Sequence, residues 1–264
     1  MTEKELSLLR SISAEMDLLP GHTGFYYKNL ATGAAFSHRA DETFLAASVV
    51  KFPLHLLYLQ KAAAGEISMA EKLTVTDADK VPVCGALTLF TGPVEADIAT
   101  LCRLMISLSD NTATNVLIRR LGFDEIERGF AAMGLDTTRI RRCMFDIAAS
   151  KAGVQNTISP LEMGILLEKL HSGALLPPQQ TKEAMDILLQ QQIEHKLGGK
   201  ICGALPIAHK TGEDDNLSND VGIVFAPQPF ILCFAAHGTS VYPWEDLIRR
   251  AAYDLWQCQT AAQE

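Results

Sequence analysis

Within the apolar run FLAASVVKFPLHLLYLQ, which begins at Phe44, stand a serine, Ser48, and a lysine, Lys51, three positions later. That spacing puts hydroxyl and amine on one face of a helix. An ammonium on an apolar face is costly unless it reaches water, finds a partner or gives up its proton. A partly desolvated lysine has a lowered pKa and can accept the serine's proton, leaving an oxygen nucleophile. A serine near a helix N-terminus also has free N–H groups beside it that favour developing negative charge.

Two further clusters follow. Ser109-Asp110-Asn111 lies between two apolar helical runs and brings a hydroxyl and an amide into a short turn. Lys210-Thr211-Gly212 closes an apolar strand and offers an ammonium, a hydroxyl and an unencumbered backbone at a strand edge. Taken singly, the first reads equally as a helix N-cap and the second as a hairpin turn. Chance supplies a Ser-x-x-Lys about 0.5 times in such a chain and each triplet about 0.05 times, so the ordered set of three points to one site.

The surrounding elements are legible from periodicity. Residues 1–16 carry Leu6, Leu9 and Ile12 at helical spacing. GFYYKNLATGAAFSH alternates around Ala31-Thr32-Gly33 and predicts a β-hairpin. From Phe44 to about Lys200 the pattern is helical. One long helix is predicted from Val49 to Ala64, stopped by Gly65, and later ones have acidic, Ser or Pro starts and mostly Gly stops. Residues 141–156 lack periodicity and read as a loop long enough to be functional. ALPIAHKTG, SNDVGIVFAP and FILCFAAHGTS are short strands, and WEDLIRRAAYDLW is a closing helix. This order predicts an α/β chain of the α+β type, an antiparallel sheet flanked by helices with an all-helical lobe inserted. Residues 1–46 and 201–264 form the α/β lobe, and residues 47–200, including the loop 141–156, form the helical one.

Composition narrows the partners. The 264 residues carry a net charge of −8, with no basic excess to neutralise nucleic acid or an anionic membrane. No apolar run reaches the length of a membrane span, and the charged first residues are not a signal peptide, so the sequence reads as cytoplasmic. The six cysteines show no CxxC and the seven histidines no HxxxH, which predicts free thiols, no metal site and no cofactor. A monomer acting on a small molecule is expected.

Ser-x-x-Lys, Ser-Asp-Asn and Lys-Thr-Gly in this order resemble the class A β-lactamases and penicillin-binding serine enzymes. The resemblance covers nearly the whole chain. It implies that Ser48 is the acyl-accepting nucleophile and that Lys51 is its base or orients one. Ser109 would relay a proton to the leaving nitrogen, tuned by Lys210. Asn111, Thr211 and Gly212 would bind substrate, and the backbone N–H groups of Ser48 and Glu213 would hold the oxyanion. The substrate would be a β-lactam or a related amide.

Three features depart from that pattern. The family's omega loop opens Arg-x-Glu-x-x-x-Asn, and its glutamate activates the deacylating water. Between Arg141 and Asn156 this chain reads RRCMFDIAASKAGVQN, so Cys143 takes the glutamate's place and Ile147 the asparagine's. Asp146, the loop's carboxylate, is either a substitute base or a brace, the brace being the better reading. Asn156 stands where an aspartate is usual. The acidic run Glu213-Asp214-Asp215 disfavours anionic ligands unless it points away, and the family works outside the cytoplasm. Two alternatives therefore stay open. One is an esterase, peptidase or amidase of the same fold; the other is a penicillin-binding module that acylates but deacylates very slowly.

Overall fold

The computed structural model describes residues 1–260. Along the chain run α1 (Glu3–Met16), β1 (His22–Asn29), β2 (Ala35–His38) and β3 (Phe44–Leu45). A 3-10 turn, Ala47–Val50, leads into α2 (Lys51–Ala63). Next come β4 (Lys72–Val75), β5 (Val94–Asp97), α3 (Ile98–Ser107), α4 (Asn111–Leu121), α5 (Phe123–Ala132) and the short α6 (Ile147–Lys151). They are followed by β6 (Thr157–Ile158), α7 (Pro160–His171) and α8 (Pro178–Leu188). The last elements are β7 (Ile207–Asp214), β8 (Leu217–Val224), β9 (Phe230–His237) and α9 (Val241–Thr260).

The hairpin and the three C-terminal strands join in one antiparallel sheet of order β2-β1-β9-β8-β7. Strand β1 pairs with β9 along its whole length, from His22 opposite His237 to Asn29 opposite Phe230. Both ends of the sequence are thereby stitched into one sheet, with β7 as an outer strand.

Alternation along β9 divides the core. Phe230, Leu232, Phe234 and Ala236 pack with Leu9 and Ile12 of α1 and Trp244 and Ile248 of α9. Ile231, Cys233 and Ala235 face the other way, into a core shared with α7 and the helical body around α2. A period of two places successive residues on opposite faces, so a continuously apolar strand reads as a sheet covered on both sides. Glycine lets α7 come close: a Cβ on Gly164 would lie 2.3 Å from a ring carbon of Tyr26 in β1.

The inserted segment is not helical throughout. Strands β4 and β5 pair as Lys72–Asp97 through Val75–Val94, and β3 pairs with β6. Val94–Asp97, within the stretch whose pattern reads as helical, is a strand, and Asp97 then caps α3 by accepting from Thr100 N–H at 2.7 Å. KLTV and VEAD alternate with period two, a signal too short to outweigh the helical pattern around it. The helix expected from Val49 opens instead as the 3-10 turn, and α2 begins at Lys51. The loop 141–156 holds α6. Among the described residues no helix is long and apolar enough to cross a membrane.

Gly164→Ala tests the α7–sheet contact. Overpacking of about 1–3 kcal/mol exceeds the roughly 1 kcal/mol gained in helix propensity, so thermal unfolding followed by circular dichroism should show a lowered midpoint. An unchanged or raised midpoint would mean that the Tyr26 ring moves aside at little cost.

Candidate active site

Ser48 lies part-buried in the 3-10 turn that feeds α2, and the segment before it is held from both sides. Asn219 of β8 donates its Nδ2 to the carbonyls of Leu45 at 2.9 Å and Ala46 at 3.1 Å. Its Oδ1 accepts from the Ala236 N–H at 3.0 Å. On the opposite side the Ala46 N–H donates to the Asn156 carbonyl at 2.9 Å. Gly212 of β7 packs against this turn so closely that a Cβ there would sit 3.0 Å from the nitrogen of Ser48. The unpaired edge of an outer strand thus runs past the serine.

Lys51, on the first turn of α2, is wholly buried, as is Lys210 on β7. Lys51 Nζ donates to the Ser109 carbonyl at 2.7 Å, to Asn111 Oδ1 at 2.7 Å and to Ser109 Oγ at 3.1 Å. Lys210 Nζ donates to the same Ser109 Oγ at 3.1 Å and to the Thr211 carbonyl at 2.6 Å. Two lysines therefore meet on one hydroxyl. Burial, then the nearby Lys210 charge, pushes the Lys51 amine well below its ordinary pKa. Burial, then the charge of Lys196, brings Lys210 down to about 7. A Lys51 amine that loses its proton there can act as a base, and Ser109 can pass a proton between neighbours.

Several positioning residues lay outside the sequence reading. Asp110 caps α4 by accepting from Ala113 N–H at 2.9 Å, and its second oxygen accepts from Leu87 N–H at 2.9 Å. It so ties the Ser109 turn to the segment carrying Val83 and Cys84. Beneath β7, buried Lys196 donates to the carbonyls of Gly212 at 3.3 Å and Asn219 at 3.1 Å and pairs with Glu213 at 2.9 Å. His209 Nδ1 and Asp220 Oδ1, both buried, are hydrogen-bonded at 2.9 Å, and Asp220 also accepts from Leu197 N–H at 3.1 Å. One clue to Asp220 was a carboxylate in an apolar strand, which requires a partner.

His195, Glu213 and Glu245 bring three donor atoms of the metal-binding type within 4.8 Å of one another. Lys196 and Arg249 already lie on the carboxylates, and a hydrogen bond to Glu245 raises the His195 pKa, so the cluster works as a network of opposite charges.

The loop 141–156 is fastened through amides. Asn156 Oδ1 accepts from the N–H groups of Arg141 at 2.8 Å and Arg142 at 3.1 Å, and its Nδ2 donates to the Arg142 carbonyl at 3.1 Å. Asn156 thus closes the loop with neutral hydrogen bonds, in the place where an aspartate is usual. Asn115 exchanges two bonds with the backbone of Met144, at 2.7 and 3.0 Å. Asp146 is exposed and caps α6, accepting from Ala149 N–H at 2.9 Å, which is a brace's position. Cys143 is part-buried, and burial pushes its thiol pKa up. Neither lines the cleft, a space of about 170 Å³ whose loop wall is Arg142, Met144, Phe145, Ile147, Ser150, Gln155 and Asn156.

Backbone strain marks the same place. Of eight described non-glycine residues with positive φ, Ala47, Val83, Cys84 and Phe145 line the cleft and Ser109 is the shared hydroxyl. Left-handed backbone at a branched or aromatic residue is costly and gathers where the fold over-determines a site.

A serine cleft between an antiparallel sheet and a helical body is the architecture of the class A-like serine hydrolases. The chain belongs to the β-lactamase enzyme family, whose model matches residues 7–259. A β-lactamase of Rhodobacter capsulatus is 31% identical over 175 residues, which are 66% of this chain and 59% of that protein, so the match spans somewhat over half of the relative's length. The structure of PBP-A matches with a TM-score of 0.87 at 28% identity, over 97% of this chain and 96% of the other. A variant of PBP-A has been solved as an acyl-enzyme complex with penicillin G. An ancestral class A β-lactamase matches in fold with a TM-score of 0.85 at 22% identity, covering 96% of this chain and 99% of that one.

Lys210 has a stability cost that depends on pH. Its folded-state pKa of about 7 lies below the usual 10.5, so between those values the unfolded chain binds more protons and stability rises with pH. Lys210→Met should raise the unfolding midpoint, and by more at about pH 6 than at about pH 9, where much of the penalty has gone. An equal shift at both pH values would mean that Lys210 titrates normally.

Proposed function

We propose that the protein is an active-site-serine hydrolase that opens a β-lactam or related amide by forming an acyl-enzyme on Ser48. The observation that carries this reading is the pair of 3.1 Å contacts from Lys51 and Lys210 to Ser109 Oγ, beside the turn holding Ser48. Lys51 in its neutral form takes the Ser48 proton as Oγ bonds to the acyl carbon. The Ser48 and Glu213 N–H groups receive the oxyanion. As the carbon–nitrogen bond breaks, Ser109 delivers a proton to the leaving nitrogen and is resupplied from Lys51, with Lys210 holding the relay by its charge. Asn111, Thr211 and Gly212 line up the substrate along β7.

Deacylation is the weaker half. Among the described residues no loop carboxylate lines the cleft, and Asp146 is spent on a helix cap. Of the residues that the resemblance sets in place of the family's base and amide, Cys143 does not line the cleft and Ile147 offers only an apolar side chain. Slow release of the acyl group follows. An esterase or amidase acting on a neutral substrate is the second reading, favoured by the acidic residues Glu213 and Asp214 on the cleft wall.

Intact-mass analysis with a penicillin should detect one adduct, located on Ser48 by peptide mapping and persisting well beyond its time of formation. Ser48→Ala should give none. Fast turnover without a detectable adduct would refute slow deacylation, and an adduct surviving in Ser48→Ala would refute the nucleophile.

Acylation should also fall on acidification, because protonation removes the Lys51 base. Taking away the neighbouring charge with Lys210→Met raises the Lys51 pKa, so this acid limb should move to higher pH. An acid limb that stays in place would separate Lys51 from the proton transfer.

A further inference from the structure

Asp214 ends β7 at the cleft wall. Side chains alternate along a strand, so Asp214 shares a face with Gly212 and with Lys210, which reaches Ser109. Glu213 lines the cleft as well, but its carboxylate pairs with Lys196 at 2.9 Å. Asp214 is exposed and belongs to no ion pair among the described residues; its Oδ1 accepts from the Asp215 N–H at 2.9 Å. The next residue, Asp215, adds a second exposed carboxylate.

The opposite lip is apolar. Val83, Phe145 and Ile147 line the cleft yet are 65%, 40% and 57% exposed. Arg142, the cation on that wall, spends its guanidinium on Gln155 Oε1 at 3.1 Å and the Cys143 carbonyl at 3.2 Å. The cleft is therefore polarised, with an apolar lip on the loop side and an uncompensated carboxylate where β7 ends.

We propose that Asp214 is a specificity determinant, selecting acyl substrates that carry a cationic group on the β7 side of the scissile bond while their apolar acyl substituent lies against Val83, Phe145 and Ile147. This rests on the acyl-serine reading above. A carboxylate and a cation some 6–7 Å apart at a solvated rim favour association by about threefold to tenfold. That preference fades with salt, as the screening length shrinks.

The probes are two cephalosporins with the same aryl-acetyl side chain and ring carboxylate, one bearing a pyridinium and the other a neutral acetoxy group on the 3-methylene. Rates of adduct formation on Ser48 are followed by intact mass. The pyridinium also activates the ring, so the decisive quantity is the ratio of the two rates in parent and variant. Asp214→Asn keeps the oxygen that accepts from Asp215 N–H and should lower the ratio about threefold to tenfold. Asp214→Lys should lower it further, and about 0.5 M salt should shrink the difference between parent and Asn variant. Adducts with both probes at a ratio that neither variant alters would overturn this inference alone. Absence of any adduct together with absence of any hydrolysed probe would overturn the acyl-serine reading and this inference with it.

Discussion

Two buried lysines sharing one serine hydroxyl set the terms for the rest of this molecule. Neither Lys51 nor Lys210 reaches water, and no carboxylate sits against either ammonium among the described hydrogen bonds. Their protons are held instead by carbonyls, an amide oxygen and Ser109. Such a cluster opposes folding, because each charge is disfavoured by burial and by its neighbour. It persists because helix α2, the turn before α4 and strand β7 are each fixed by other contacts. Asp110 pins the turn, Asn219 the segment before Ser48, and Lys196 the underside of β7.

The same constraint explains where strain collects. Ala47 and Ser109 adopt positive φ beside the reacting groups, and Val83, Cys84 and Phe145 do so at the rim. Backbone of this kind survives only where packing leaves no alternative. Behind it the sheet supplies that rigidity, with β8 and β9 buried on both faces and β9 joined to β1 over eight residues. A stiff sheet edge and a helix start are brought together at Gly212, where any side chain would crowd the Ser48 nitrogen. The proposed acylation would take place at this rigid junction. The loop 141–156, by contrast, is tied by amide hydrogen bonds through Asn115 and Asn156 and presents apolar side chains to the cleft. The asymmetry between the two halves of the proposed reaction follows from that difference.

Much of this was legible along the chain, because several signals are local. Ser48 and Lys51 fall one helical turn apart, Ser109 and Asn111 flank a helix start, and Lys210-Thr211-Gly212 ends a strand. The hairpin, the three closing strands and most helices announced themselves by period and by stop signals such as Gly65 and Gly122, both with positive φ. The short strands β4 and β5 were hidden, since four alternating residues cannot compete with a helical neighbourhood. Asn219 and Lys196 were hidden for another reason. An asparagine in a strand and a lysine in a loop carry no mark of the carbonyls they will meet from distant segments.

The sequence by itself determined the chemical inventory, the order of the elements, the layered α/β architecture and the loss of the loop glutamate. These depend on residue type and near-neighbour spacing, which the covalent chain already contains. Only the tertiary structure decided that both lysines meet on Ser109, that Glu213 pairs with Lys196 while Asp214 lines the cleft with no ion pair among the described residues, and that Asp146 caps a helix. Those outcomes are set by which faces and edges come together across gaps such as the 101 residues between Ser109 and Lys210. Burial and pairing of charge are properties of that assembled space, and no stretch of the chain holds them alone.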